Sequence, residues 1–96
     1  MDDQALMRDI VSALLEDTAQ QVSLLEAAIR NGDTRVCARL AHYSKGACAN
    51  VGANRAAGVF KTIEYAAANE ELNKCRESLA SLAGELELLR VESATL

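Results

Sequence analysis

The chain has no proline in 96 residues and only five glycines, so nothing in it marks the tight turns on which sheets and hairpins depend. Long stretches can therefore run uninterrupted, and Ala, Leu and Glu, all strong helix formers, fill them. Half of the residues are apolar, but the only aromatics are Tyr43, Phe60 and Tyr65. A core must be built from Leu, Ile, Val and Ala. The expectation is an all-α fold. At this length it is one domain, residues 1–96, with a single core.

Periodicity divides the chain into four helices. Met7, Val11, Leu14, Thr18, Val22, Leu25 and Ile29 recur at spacings of three or four, which predicts a helix from just after Asp2 or Asp3 to about Arg30. A break within this long segment is allowed by the pattern. Asn31-Gly32 ends it, because glycine commonly follows a helix C-terminus. Asp33 or Thr34 caps a second helix to about Asn50, with a stripe of Val36, Cys37, Leu40, Ser44, Ala47, Cys48 and Val51. NVGAN is the next turn, and Asn54 is the expected cap of a third helix to about Ala68, with Ala56, Phe60, Ile63 and Ala67 inward. Beyond Asn69, Leu72, Cys75, Leu79, Leu82, Leu86 and Leu89 form an unbroken seam. Short connections between amphipathic helices imply an antiparallel up-down four-helix bundle. The leucine seam is then core, since three other amphipathic helices need covering.

Charge is unevenly placed. Residues 1–29 carry net −5, residues 30–63 net +5 and residues 64–96 net −4. A nucleic-acid binder is normally basic overall and rich in aromatics, so no nucleic-acid partner is expected. A local basic island suits a compact acidic or phosphorylated partner better. No stretch reaches the roughly 20 apolar residues of a membrane span. The acidic start MDDQALMRD has no apolar run after it, so neither a secretory signal nor a transit peptide is expected. Cys37, Cys48 and Cys75 are an odd set without metal-type pairing, which suits a reducing cytoplasm.

The stretch AHYSKGACAN, residues 41–50, carries the only histidine and a glycine in mid-helix. Such a glycine costs about 1 kcal/mol relative to alanine, so something should require it. Each helical residue turns by about 100°, which puts His42 about 200° from Leu40, away from the core stripe. Arg35, Ala38, Arg39, Lys45, Gly46 and Ala49 share its face. The cations there suit a phosphate held on the imidazole. The small residues leave room for another protein to reach the ring. With the helix stripe holding two cysteines and the leucine seam the third, neither a metal site nor a Cys–His catalytic pair is expected. The glycines lack the lysine of a phosphate-cradling loop, so no nucleotide-binding kinase is indicated.

AHYSKG, the later VGANR and FKTIE, in this order and within four helices, resemble the histidine-containing phosphotransfer (HPt) domains of phosphorelays. The resemblance is specific over residues 41–64 and extends over the chain in length and helix order. It implies a cytoplasmic phosphocarrier, not an enzyme, that accepts and donates a phosphoryl group on His42 in exchange with the aspartate of response-regulator receiver domains. A hybrid sensor histidine kinase is a further partner that it allows. Lys45, with Gly46 and Arg39, would support the phosphate, and Ala38, Ala49 and Tyr43 would meet the partner. The family often brings a polar or basic side chain from the adjacent helix to the histidine, for which Arg55 and Lys61 are the candidates. No cofactor is expected, Mg²⁺ belonging to the receiver, and the domain is expected to be a monomer.

Two other readings are weaker or open. The dimerisation domain of sensor kinases also carries a helical histidine, typically followed by an acid and soon by a proline, whereas Tyr43 follows here. A helical adaptor with an HPt-like fold that is never phosphorylated remains the alternative. It would keep binding its partner after His42→Gln.

Overall fold

A computed structural model describes residues 3–94, and they form four helices: α1 (Asp3–Arg30), α2 (Thr34–Asn50), α3 (Asn54–Ala68) and α4 (Leu72–Ala94). The expected start is just after Asp2 or Asp3, and Asp2 itself lies outside the described residues. No break interrupts α1, whose 28 residues reach about 42 Å at 1.5 Å per residue. The bundle is accordingly long and thin, 46 × 19 × 18 Å. Packing runs α1–α2, α2–α3, α3–α4 and α4–α1, the closed order of an up-down bundle. No helix among the described residues is long and apolar enough to cross a membrane.

One turn geometry serves all three connections. In each, an amide bonds back to the carbonyl five residues earlier: Asp33 to Ala28 at 2.9 Å, Ala53 to Cys48 at 2.9 Å and Glu71 to Ala66 at 2.8 Å. The bond requires a left-handed residue just before the donor. Gly32 (φ 68°) and Gly52 (φ 78°) supply it twice without a Cβ penalty, but the third turn uses Glu70 (φ 58°). Caps differ too. Asp33 accepts a hydrogen bond from the Val36 amide at 3.1 Å and starts α2. Asn54, expected as the cap of α3, is instead its first helical residue. Ala53 stands at the cap position with no side chain to bond, so the backbone turn alone starts the helix.

The core is aliphatic with one aromatic centre. Phe60, Leu25, Ile63 and Leu82 are its largest fully buried side chains, and removing a buried phenyl such as that of Phe60 costs roughly 3–5 kcal/mol. The expected stripe of α2 is rotated slightly. Cys37, Ala41, Ser44 and Cys48 are buried, while Val36, Leu40, Ala47 and Val51 are half-buried at its edges. Ala41, which the expected stripe leaves out, is also inside. The α4 seam also buries less than its pattern promised. Only Cys75 and Leu82 are fully enclosed, because a four-helix square gives each helix two partners and leaves its flanks half open. Met7 stands outside the core, on the part of α1 that overhangs the shorter α2.

All three cysteines are buried and free. Burial pushes each thiol up from its ordinary range, which keeps it protonated and unreactive. They fill the core, as their place on the stripes implied.

Candidate functional site

His42 projects from the middle of α2 with 69% of its side chain exposed. Ala41 and Ser44, its buried neighbours on the helix, set this direction: they turn inward, so residue 42 turns out. The imidazole is nevertheless fixed. Its Nδ1 lies 2.7 Å from Oε2 of Glu64 on α3. Lys45, one turn further along α2, donates from Nζ to the other carboxylate oxygen, Oε1, also at 2.7 Å. One carboxylate thus joins two side chains of the neighbouring helix, each taking a separate oxygen.

The register explains why Glu64 reaches both. α2 and α3 run antiparallel through the turn at Val51–Ala53. His42 stands eleven residues before Ala53, and Glu64 eleven residues after it. Residues three apart on a helix lie on one face, so His42 and Lys45 bracket the same position of α3. The Lys45 hydrogen bond is the largest influence holding the Glu64 carboxyl below the ordinary range, and the His42 hydrogen bond adds to it against partial burial. Glu64 is therefore an anion at neutral pH. A carboxylate only accepts hydrogen bonds, so Nδ1 is the nitrogen that carries the proton. In the neutral ring, Nε2 then holds the free lone pair, pointing to solvent.

The other expected residues fall around this centre. Arg39 and Gly46 are exposed on either side of His42, Ala49 is exposed and Ala38 half-buried on the same face. Tyr43 is half exposed and donates from its hydroxyl to Asp17 of α1 at 2.9 Å, which ties the flank of the site to a third helix. That bond, first among the causes, raises the phenol above its usual range. A Cβ placed on Gly46 would meet no atom within 4 Å. The fold itself leaves that space open.

The third-helix expectation is corrected. Arg55 is turned away, paired with Glu85 of α4 (Nε to Oε2, 2.9 Å), and Lys61 is not the side chain that meets the imidazole. The acid Glu64 takes that place. Glu64 is the last residue of FKTIE, and its equal distance from the turn singles it out, whereas the two candidates on α3 were both cations. The same count sets Lys61 opposite Lys45, and two ammonium groups do not seek contact.

Two comparisons place this four-helix bundle in the class of helical phosphotransfer modules. The family model described as Hpt domain matches residues 9–92, so the chain belongs to the Hpt domain family. Among solved structures, the chain is similar to the histidine-containing phosphotransfer protein B (HptB) from Pseudomonas aeruginosa PAO1. The two share 25% sequence identity and a TM-score of 0.86, over 92% of this chain and 76% of that one. Comparison with curated proteins found no match.

Proposed function

We propose that the chain is a phosphorelay intermediate that accepts a phosphoryl group on Nε2 of His42 from the aspartyl phosphate of a receiver domain and returns it to another. The observation that carries this reading is the 2.7 Å contact between Nδ1 and an ionised Glu64, which leaves the exposed Nε2 as the nucleophile. The Nε2 lone pair forms the N–P bond while the P–O bond to the receiver aspartate breaks, and that electron pair returns to the aspartate as a carboxylate. No proton moves. The ring keeps its Nδ1 hydrogen and gains positive charge, which the Glu64 carboxylate stabilises at close range.

Phosphoryl transfer needs alignment and charge neutralisation more than covalent machinery from the protein. The overall chemistry is divided accordingly. The receiver supplies Mg²⁺ and its own acidic cluster, and this chain supplies a positioned imidazole with Lys45 beside it. Lys45 is held by Glu64 before transfer, one helical turn from the imidazole, where its ammonium can serve a phosphoryl oxygen. Arg39 adds an exposed guanidinium on the other side. Gly46, Ala38 and Ala49 keep the approach low, and Tyr43 borders the docking area. The chain is a carrier with no catalytic site of its own, located in the cytoplasm with its receiver.

The test is transfer of radiolabelled phosphate from a phosphorylated receiver. Acid-labile, base-stable label is expected on the wild-type chain and none on His42→Gln. Label persisting on His42→Gln would overturn the assignment. A partner that still bound His42→Gln, with no label on either protein, would favour the adaptor.

A further inference from the structure

The fold converts the uneven charge of the sequence into two faces. Helix α2 carries three bases and no acid, and α3 two bases against Glu64, a net +4. Helix α1 carries five acids against two bases, and α4 four acids against three bases, a net −4. Because packing follows the order α1–α2–α3–α4, the edge formed by α2 and α3 lies opposite the edge formed by α4 and α1. His42 sits on the positive edge.

Not all of that positive charge is consumed within the bundle. Glu64 holds Lys45, and Glu85 holds Arg55. Arg35, Arg39 and Lys61 are exposed, and no ion pair of theirs occurs among the described residues. Arg39 is one turn from His42, Arg35 two turns away on the same face, and Lys61 one turn before Glu64 on α3. Each lies within about 10 Å of the site along its helix, a distance over which exposed charges still act at about 0.1 M salt. The acids nearest this face are already engaged: Asp17 accepts from Tyr43, Asp33 caps α2, and Glu64 joins His42 and Lys45.

We infer that Arg35, Arg39 and Lys61 select and orient a receiver whose docking surface, around its phosphorylated aspartate, is net acidic. This rests on the phosphotransfer reading. The positive edge draws such a surface toward His42, and the acidic α1–α4 edge repels the same surface when the bundle arrives backwards. Steering of this kind raises association rates by factors of about 10 to 10³ and is removed by salt. It acts on the choice and rate of encounter and leaves the chemical step to the groups beside the imidazole.

The experiment uses two receiver domains phosphorylated with acetyl phosphate and Mg²⁺, one with an acidic docking face and one with a basic face. Second-order transfer to the full chain is measured from 25 to 500 mM NaCl, values chosen to span Debye lengths from roughly 20 Å to below 5 Å. For the acidic receiver, the rate is expected to fall at least tenfold across the series. The basic receiver should be at least tenfold slower at low salt, with the gap closing at high salt. Charge reversal in Arg35→Glu/Lys61→Glu should flatten the salt dependence to less than threefold and erase the preference. Circular dichroism melts verify that the variant folds; should it not, the wild-type salt series and the two-receiver comparison decide alone. Transfer that is independent of salt, or equal to both receivers, overturns the steering while leaving His42 as the carrier. Absence of transfer to wild type from either receiver at every salt concentration overturns the phosphotransfer reading and this inference with it.

Discussion

His42 and Glu64 meet across the α2–α3 interface with Nδ1 and Oε2 2.7 Å apart, although the imidazole is otherwise mostly in solvent. An exposed histidine would ordinarily sample several rotamers and both neutral tautomers. The carboxylate selects one of each. The other ring nitrogen is thereby oriented without being buried.

Removing that carboxylate should release the ring. In Glu64→Ala, ring ¹⁵N chemical shifts are expected to show a mixture of tautomers in place of predominant Nδ1 protonation. Phosphoryl transfer should slow by roughly tenfold, the equivalent of about 1.4 kcal/mol for one lost charge-assisted hydrogen bond. A wild-type rate in this variant would show that Glu64 is only a surface partner.

Lys45 ties Glu64 to acid stability. The Glu64 carboxyl is held below its ordinary range, chiefly by Lys45, so its folded-state pKa lies under its unfolded one. Such a group contributes stability above the unfolded value, and that contribution is lost as pH falls through the folded value. Urea denaturation should therefore find wild type more stable than Lys45→Ala near pH 7, by up to about 1 kcal/mol for a partly exposed pair. The gap should shrink as the pH falls below the ordinary carboxylate range and Glu64 takes up its proton. In transfer assays, Lys45→Ala should reduce the rate or shorten the lifetime of the phosphohistidine. If both keep their wild-type values, Lys45 serves stability alone.

Gly46 allows folding and docking to be tested separately. A Cβ fits there freely, so Gly46→Ala should raise stability by up to about 1 kcal/mol through helix propensity. Gly46→Gln should hold or raise stability, yet slow transfer by standing beside the imidazole. Gly58 on α3 is equally open and provides the control: Gly58→Ala should stabilise without altering transfer. Equal transfer rates for wild type and Gly46→Gln would mean that the open space has no role.

Ser44 is buried at 1% exposure, and its Oγ has no hydrogen-bond partner. A buried hydroxyl left unsatisfied costs about 1–3 kcal/mol, and alanine is also the better helix former. Ser44→Ala is expected to raise the urea midpoint with an unchanged m-value. A lowered midpoint would mean that the hydroxyl is satisfied in solution.

Glu70 holds a left-handed conformation that the two other turns assign to glycine. Glu70→Gly should stabilise the α3–α4 turn by up to about 1 kcal/mol, measured as a higher melting temperature. No gain would show that glycine's greater freedom in the unfolded chain cancels the relief of strain.

Much of this was legible in the order of residues alone. The absence of proline, the three- and four-residue spacing of apolar positions and Gly32 and Gly52 at the turns determine four helices, because these are local effects of backbone sterics and of burying one stripe per helix. They also determine that residue 42 faces away from the stripe holding Cys37 and Cys48. What crosses between helices was decided by tertiary structure. Ala41 is buried because the stripe rotates to suit two neighbours at once. Arg55 serves α4 because its face of α3 points there, and Glu64 meets His42 and Lys45 because the Val51–Ala53 turn fixes how α3 slides along α2. A helix pattern records which side of a cylinder is apolar, but the register between two cylinders depends on the turn that joins them and on the packing they share.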